Sequence, residues 1–160
     1  HARDKDAVVA SMIFAEMICY YDSIGKRVYD VLQDIYKKFG YFVEKAKSIT
    51  FGGLDGMQKM ADIMTEIRST SFSEIAGTKV LAQSDFVTRK KTYADGKTED
   101  ITLPKTNAFK IHLDNGDWIC VRPSGTEPKL KFYVATSKPT QDAATALAYS
   151  YLAYMENLVK

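Results

Sequence analysis

Arg122-Pro123-Ser124-Gly125-Thr126-Glu127-Pro128-Lys129 gathers hydrogen-bond donors between two runs of alternating apolar residues. Arginine presents a planar fork that can meet two phosphate oxygens at once. Ser124 and Thr126 add hydroxyls, Gly125 lets backbone amides approach an anion without a Cβ in the way, and Lys129 adds a mobile point charge. Pro123 and Pro128 stiffen the segment, so less ordering entropy is lost when an anion is captured. Glu127 opposes this reading mildly, because a carboxylate repels phosphate unless it turns away to cap the backbone or to orient Arg122. Pro, Ser, Gly and Thr also populate turns for conformational reasons alone. Residue types by themselves therefore leave an anion-binding loop and a solvated turn both open.

The other chemically capable residues are weaker signals. His112 alternates with Ile111 and Leu113 and is expected to face solvent, since a lone histidine is a poor metal signal. Cys19 and Cys120 lie in apolar runs with no metal spacing and read as buried free thiols of a reducing compartment. Met57, Met60 and Met64 recur at helical spacing and read as core filling. Arg89-Lys90-Lys91 reads as a solvated face of an edge hairpin, where charge discourages edge-to-edge pairing. Trp118 is a core or rim anchor beside the donor-rich segment.

The elements that must carry this segment are legible. Val8, Val9, Met12, Ile13, Met17 and Tyr20 recur at intervals of three and four, with Asp4 or Asp6 placed to cap a helix from Asp6 to Tyr21. After Ser23-Ile24-Gly25 a second helix runs through Val28, Val31, Leu32, Ile35 and Phe39 to Gly40, which can end it in the left-handed conformation. Tyr41 to Phe51 is extended, and Met57 to Ile67 is helical up to the Ser/Thr-rich run at Ser69. Asp95-Gly96 and Asn115-Gly116 mark two hairpins, and Leu130, Phe132 and Val134 alternate as a further strand. Thr140 caps a last helix with Ala144, Leu147, Ala148, Tyr151, Leu152, Met155 and Val159 on one face; Tyr149, Tyr151 and Tyr154 should pack partly on the sheet. The predicted class is α+β: a small, mostly antiparallel sheet with helices on one face, preceded by two α-helices, with a boundary near Gly40.

Composition supports a folded globule, since 46% hydrophobic residues with only nine Gly and four Pro leave enough apolar surface to build a core. A net charge of +2 is too near balance for the background field that nucleic-acid binders use, so any anion must be held locally. The apolar stretch Ala7 to Tyr21 is interrupted by Ser11 and Glu16 and falls short of the about 20 apolar residues a bilayer needs, so no membrane partner is expected. The chain opens on His-Ala-Arg-Asp-Lys-Asp without a Met, and is expected to be a piece of a larger protein.

Arg122 to Lys129 followed by Leu130-Lys131-Phe132-Tyr133 resembles the phosphate-binding loop in the last domain of the α-D-phosphohexomutases, the phosphoglucomutase/phosphomannomutase family. His1-Ala2-Arg3-Asp4-Lys5-Asp6-Ala7-Val8-Val9-Ala10-Ser11 resembles the end of that family's third domain, just after the sugar-recognition loop, in its longer, phosphoglucomutase-like branch. Gly53-Leu54-Asp55-Gly56 and Leu103-Pro104 to Asn107 follow in family order, so the resemblance covers essentially the whole chain.

The resemblance implies a cytoplasmic enzyme interconverting hexose 1-phosphate and hexose 6-phosphate through a bisphosphorylated sugar. Its phosphoserine and its magnesium site lie in domains absent from these residues, which makes the piece inactive. It implies residues 1–40 as the helical tail of the sugar-binding third domain and residues 41–160 as the phosphate-binding fourth, with a fold resembling the TATA-binding protein but no DNA function. By similarity Arg122, Ser124, Gly125, Thr126 and Lys129 grip the phosphate that is not being transferred. Arg3 and His1 match substrate-approaching positions, and Lys5 is a candidate proton donor or acceptor if a cationic neighbour or burial lowers its pKa. His1 could equally be left from an expression tag. The substrate is a phosphorylated hexose, with the longer branch favouring glucose. The leading helices, stripped of partners, could pair with a second copy. The rival reading is a stand-alone module that binds phosphosugar or phosphate without catalysis.

Overall fold

The computed structural model describes residues 5–159, in two compact units that divide after Tyr41. In the first unit, α1 (Ala7–Ser23) starts at Asp6, whose Oδ1 accepts the Val9 N–H at 2.9 Å. That bond satisfies one of the donors every helix start leaves open. The second helix, α2 (Val28–Phe39), carries Asp30 in its first turn and Lys37 and Lys38 in its last, the arrangement its dipole favours. Gly40, at φ 93°, ends it as expected. The two helices are bent 88° from one another, and no single helix among the described residues is long and apolar enough to cross a membrane.

Neither helix of the first unit buries a residue. Instead of one apolar stripe, α1 carries exposed Val8, Met12, Ile13, Phe14, Ile18 and Tyr20 around most of its surface. Cys19 is accordingly exposed, which corrects its expected burial; its apolar neighbours in sequence point outward with it.

The second unit is built on an eight-stranded sheet: β1 (Tyr41–Thr50), β2 (Glu74–Ile75), β3 (Thr78–Asp85), β4 (Lys90–Tyr93), β5 (Thr98–Asp100), β6 (Phe109–Leu113), β7 (Trp118–Pro123) and β8 (Lys129–Lys138). The order is β1-β8-β7-β6-β3-β4-β5, with β2 added on β3. The β2 to β8 pairings are antiparallel. At the remaining edge Thr136 reaches the Val43 carbonyl while the Phe51 N–H donates to the Pro128 carbonyl, which makes β1 and β8 antiparallel too. Gly96 and Gly116 both take positive φ in the hairpins that Asp95-Gly96 and Asn115-Gly116 announce.

Helices α3 (Gly56–Ser69) and α4 (Gln141–Leu158) share one core with the sheet, so they lie on the same face. From α3 come Met60, Met64 and Ile67; from α4 come Ala148, Tyr151, Leu152 and Met155. Phe109, Ile111, Leu113, Ile119, Val121, Leu130, Phe132 and Val134 meet them from the strands. Each large side chain so buried stabilises the fold by about 1.5–3 kcal/mol. Thr140 caps α4, its Oγ1 accepting from the Ala143 N–H at 3.3 Å. Met57 is the exception among the expected core methionines, remaining about half exposed.

Parity along β3 is broken. Val80 pairs with Leu113 on the core face, but a bulge at Leu81 turns Ala82 and Ser84 to the opposite face, across from His112 and Lys110. Asp117, almost fully buried at the root of the β6–β7 hairpin, accepts from the Ser137 N–H (2.9 Å), Asn115 Nδ2 (2.8 Å) and Tyr151 OH (3.1 Å). It thereby ties the hairpin to β8 and α4.

Candidate phosphate-binding site

The donor-rich segment joins two central strands, and the sheet register decides where its charges point. Arg122 pairs with Lys131, and Cys120 with Tyr133, so these four side chains share the face turned away from the helices. Val121, Leu130 and Phe132, alternating with them, are buried in the core. The Ser124 N–H donates to the Lys129 carbonyl at 2.8 Å, extending the ladder, and the Lys129 N–H donates to the Glu127 carbonyl at 2.7 Å, closing a tight turn. The chain between them projects from the sheet.

Support comes from behind. Phe51, just past β1, donates its N–H to the Pro128 carbonyl at 2.8 Å, and Gly56 at the start of α3 lies so near that an added Cβ would stand 3.0 Å from Pro128 Cβ. The turn is therefore held by its own ladder and by the β1–α3 junction.

A hollow of about 160 Å³ opens on the loop, lined by Arg122, Pro123, Ser124, Gly125, Lys131 and Tyr133. Arg122 is exposed and its guanidinium makes no ion pair or hydrogen bond among the described residues. Lys131 likewise has no carboxylate within ion-pair distance among them. The Gly125 N–H has no acceptor among them, and the Thr126 N–H reaches only the Ser124 Oγ, at a marginal 3.5 Å. Two cations and the uncommitted Gly125 amide thus border one small concavity, an arrangement suited to a phosphate group.

Not every expected member joins it. Lys129 pairs with Glu127 (Nζ to Oε2, 3.0 Å), so the carboxylate that seemed to oppose anion binding is turned onto the loop's own lysine. Neither Lys129 nor Thr126 lines the hollow. Lys131 and Tyr133 do, and their signal was the alternation of β8 itself: with Leu130, Phe132 and Val134 inside, they must share the face of Arg122. Lys5 is exposed, next to the cap residue Asp6 in the first unit, while His1 and Arg3 lie outside the described residues.

His112 departs from its expected exposure. It is half-buried, with its Nε2 3.0 Å from the Ser84 hydroxyl that the bulge delivers. Burial, reinforced by Lys110 and Lys91, pushes its pKa down to about 4. Cys120 is half-buried, and burial pushes its thiol pKa up.

Residues 75–149 match the family model for the phosphoglucomutase/phosphomannomutase C-terminal domain. The chain belongs to that family. The phosphoglucomutase of Staphylococcus epidermidis is 43% identical over 136 residues, covering 84% of this chain and 25% of the relative. That of Staphylococcus haemolyticus is 34% identical over 151 residues, covering 94% and 27%. The chain thus spans about a quarter of the length of the curated relatives it matches. Among solved structures, the open form of pp63/parafusin, a phosphoglucomutase from Paramecium, superposes with a TM-score of 0.58 at 16% identity, over 99% of this chain and 28% of that one. This likeness carries the α+β phosphohexomutase C-terminal fold.

Proposed function

We propose that the chain is the C-terminal part of an intramolecular phosphotransferase that interconverts hexose 1-phosphate and hexose 6-phosphate by way of a phosphoserine and a bisphosphorylated sugar. Residues 41–160 form its phosphate-gripping fourth domain, and residues 1–40 end its sugar-binding third. The observation that carries this reading is the uncommitted Arg122 guanidinium, standing with Lys131 beside the open amide of Gly125 at the loop hollow.

In this role Arg122 forks onto the phosphate that stays in place, while Ser124, Gly125 and Thr126 donate to its remaining oxygens. Lys131 and Lys129 add favourable field, the latter moderated by Glu127. Holding one end of the sugar fixes the other end for transfer, and closing this domain over the substrate excludes the water that would hydrolyse the intermediate. Arg3 and His1 take substrate-contacting roles, and Lys5 exchanges a proton with the reacting hydroxyl. Magnesium, required by the complete enzyme, is held by another domain. Among the described residues no three His, Cys, Asp or Glu side chains gather so as to hold a metal ion, and no step above is routed through one. The piece binds hexose phosphate without turning it over, acts in the cytoplasm as part of the full protein, and by itself self-associates through α1 and α2.

Calorimetric titration with glucose 1-phosphate and with inorganic phosphate tests the loop. Arg122→Ala is expected to cost about 1.5–3 kcal/mol of binding, the range for charge-assisted hydrogen bonds. Equal affinity in both proteins removes the loop from the mechanism.

A further inference from the structure

The loop hollow has a neighbour. On the same sheet face a second concavity of about 420 Å³ is lined chiefly by Phe86, Lys110, Trp118, Cys120, Arg122 and Tyr133. Ladder pairing sets Lys110, Cys120 and Tyr133 in a row across β6, β7 and β8. Arg122 and Tyr133 line both concavities. The larger one falls in the range of small-molecule sites, about 300–1,000 Å³, whereas the loop hollow has room for little beyond one anionic group.

Its chemistry is aromatic and cationic together. Phe86, Trp118 and Tyr133 supply rings, and Arg122 and Lys110 supply charge with no carboxylate in ion-pair distance among the described residues. Elsewhere on this unit Lys47, Lys59, Lys90, Lys97, Lys129 and Lys138 each meet an acid within 4 Å, whereas Lys45, Lys79, Lys91, Lys105 and Lys131, like Lys110, meet none among the described residues. Lys110 instead rests over the Trp118 ring, 4.3 Å from its centroid, and burial lowers its pKa. A hexose offers no π face to such walls. A flat heterocycle does, and base–aromatic stacking tolerates any base because each has such a face.

We propose that this concavity is a subsite for the base of a nucleoside 5′-phosphate whose phosphate sits in the adjoining loop hollow beside Arg122. The inference rests on the loop's being a phosphate site, and the two fail in different ways.

Trp118 is the chain's one tryptophan, so its emission reports this subsite alone. The chain is titrated with uridine 5′-monophosphate, uridine, inorganic phosphate and glucose 6-phosphate, with excitation corrected for nucleotide absorbance. The monophosphate is expected to change Trp118 emission saturably and to bind at least about tenfold tighter than inorganic phosphate, one stacking contact's worth. Phe86→Ala, which leaves the loop hollow's lining intact, should remove that advantage without weakening inorganic phosphate. In Cys19→Ser protein, alkylation of Cys120 should slow with the monophosphate and not with glucose 6-phosphate, a readout that stands even if Phe86→Ala folds poorly. If the monophosphate and inorganic phosphate bind alike with no emission change, and Arg122→Ala weakens both, the subsite is refuted and the loop reading survives. If Arg122→Ala weakens neither, both fall. Concentration-dependent shielding of Cys120 without ligand would also overturn the proposal, by showing the face covered by another copy.

Discussion

Replacing Gly56 by alanine separates the loop's support from helix stability. Gly56 is the first residue of α3 and does not take left-handed φ, so its backbone accepts alanine, and helix propensity favours alanine by up to about 1 kcal/mol. Space decides otherwise. The new Cβ would overlap the Phe51 carbonyl oxygen and stand 3.0 Å from Pro128 Cβ. Neither is the end of a flexible side chain, and the Phe51 N–H is itself bonded to the Pro128 carbonyl at 2.8 Å. Relieving such overpacking costs about 1–3 kcal/mol, leaving a net loss of up to about 2 kcal/mol after the full propensity gain. Gly52, four residues earlier, is the control: a Cβ there meets nothing within 4 Å and its φ is not positive. Gly52→Ala should be neutral or stabilising by up to about 1 kcal/mol, chiefly by restricting the unfolded chain. Urea unfolding gives the stabilities, provided the denaturant slope is shared, and calorimetry gives phosphate affinity. Gly56→Ala should lose both, because the groups it displaces are those that hold Pro128. A Gly56→Ala protein as stable as Gly52→Ala, or one that is destabilised while binding phosphate normally, refutes the buttress.

Asp117→Ala should cost about 1–3 kcal/mol in urea unfolding, since it removes the acceptor of the Ser137 N–H and of Asn115 Nδ2 and leaves Lys138 without its partner at 3.7 Å, whereas the Tyr151 hydroxyl keeps Thr78 and Asn115; Tyr151→Phe should cost about 1 kcal/mol. His112 has a folded pKa of about 4, below its ordinary value of 6.5, because of burial and the cations Lys110 and Lys91. The unfolded chain therefore takes up a proton first, so stability should fall as pH drops from about 6.5 through about 4, and His112→Gln should flatten that part of the pH–stability profile. Ala76, at φ 46°, occupies a two-residue turn before Gly77 where alanine is strained, and Ala76→Gly should raise the thermal midpoint, by about 0.5–1 kcal/mol at the transition.

Turns were legible in the sequence where the residue types announce their own backbone angles, as at Asp95-Gly96, Asn115-Gly116 and Gly40. They were hidden where the fold overrides the residue: Ala76 takes a left-handed angle that alanine does not advertise, so the β2–β3 hairpin could not be foreseen. Helix faces were legible when one side meets a core, as in α4, whose expected face is buried except for the half-exposed Leu147. The same spacing misled in α1, because apolar periodicity reports which residues want a partner and says nothing of whether one is present. His112 escaped for a third reason. Its partner Ser84 reaches that face only through the bulge at Leu81, and a one-residue register change leaves no trace in local composition.

At the site, the charge belongs to the strands and the donors belong to the turn. Arg122 and Lys131 face one another across β7 and β8 because Val121, Leu130 and Phe132 are drawn into the core on the alternate positions. A strand repeats every two residues, so slipping either strand by one would send a cation into the interior and a core residue into the hollow. The hydrophobic effect at those three buried positions thus fixes the sign of the potential at the loop mouth. Local stiffness then has a separate origin, in the Ser124–Lys129 and Phe51–Pro128 bonds that hold the turn before any anion arrives. Mutations in the core should therefore weaken phosphate binding only as they unfold the sheet, whereas mutations behind Pro128 should weaken it while the sheet stays folded.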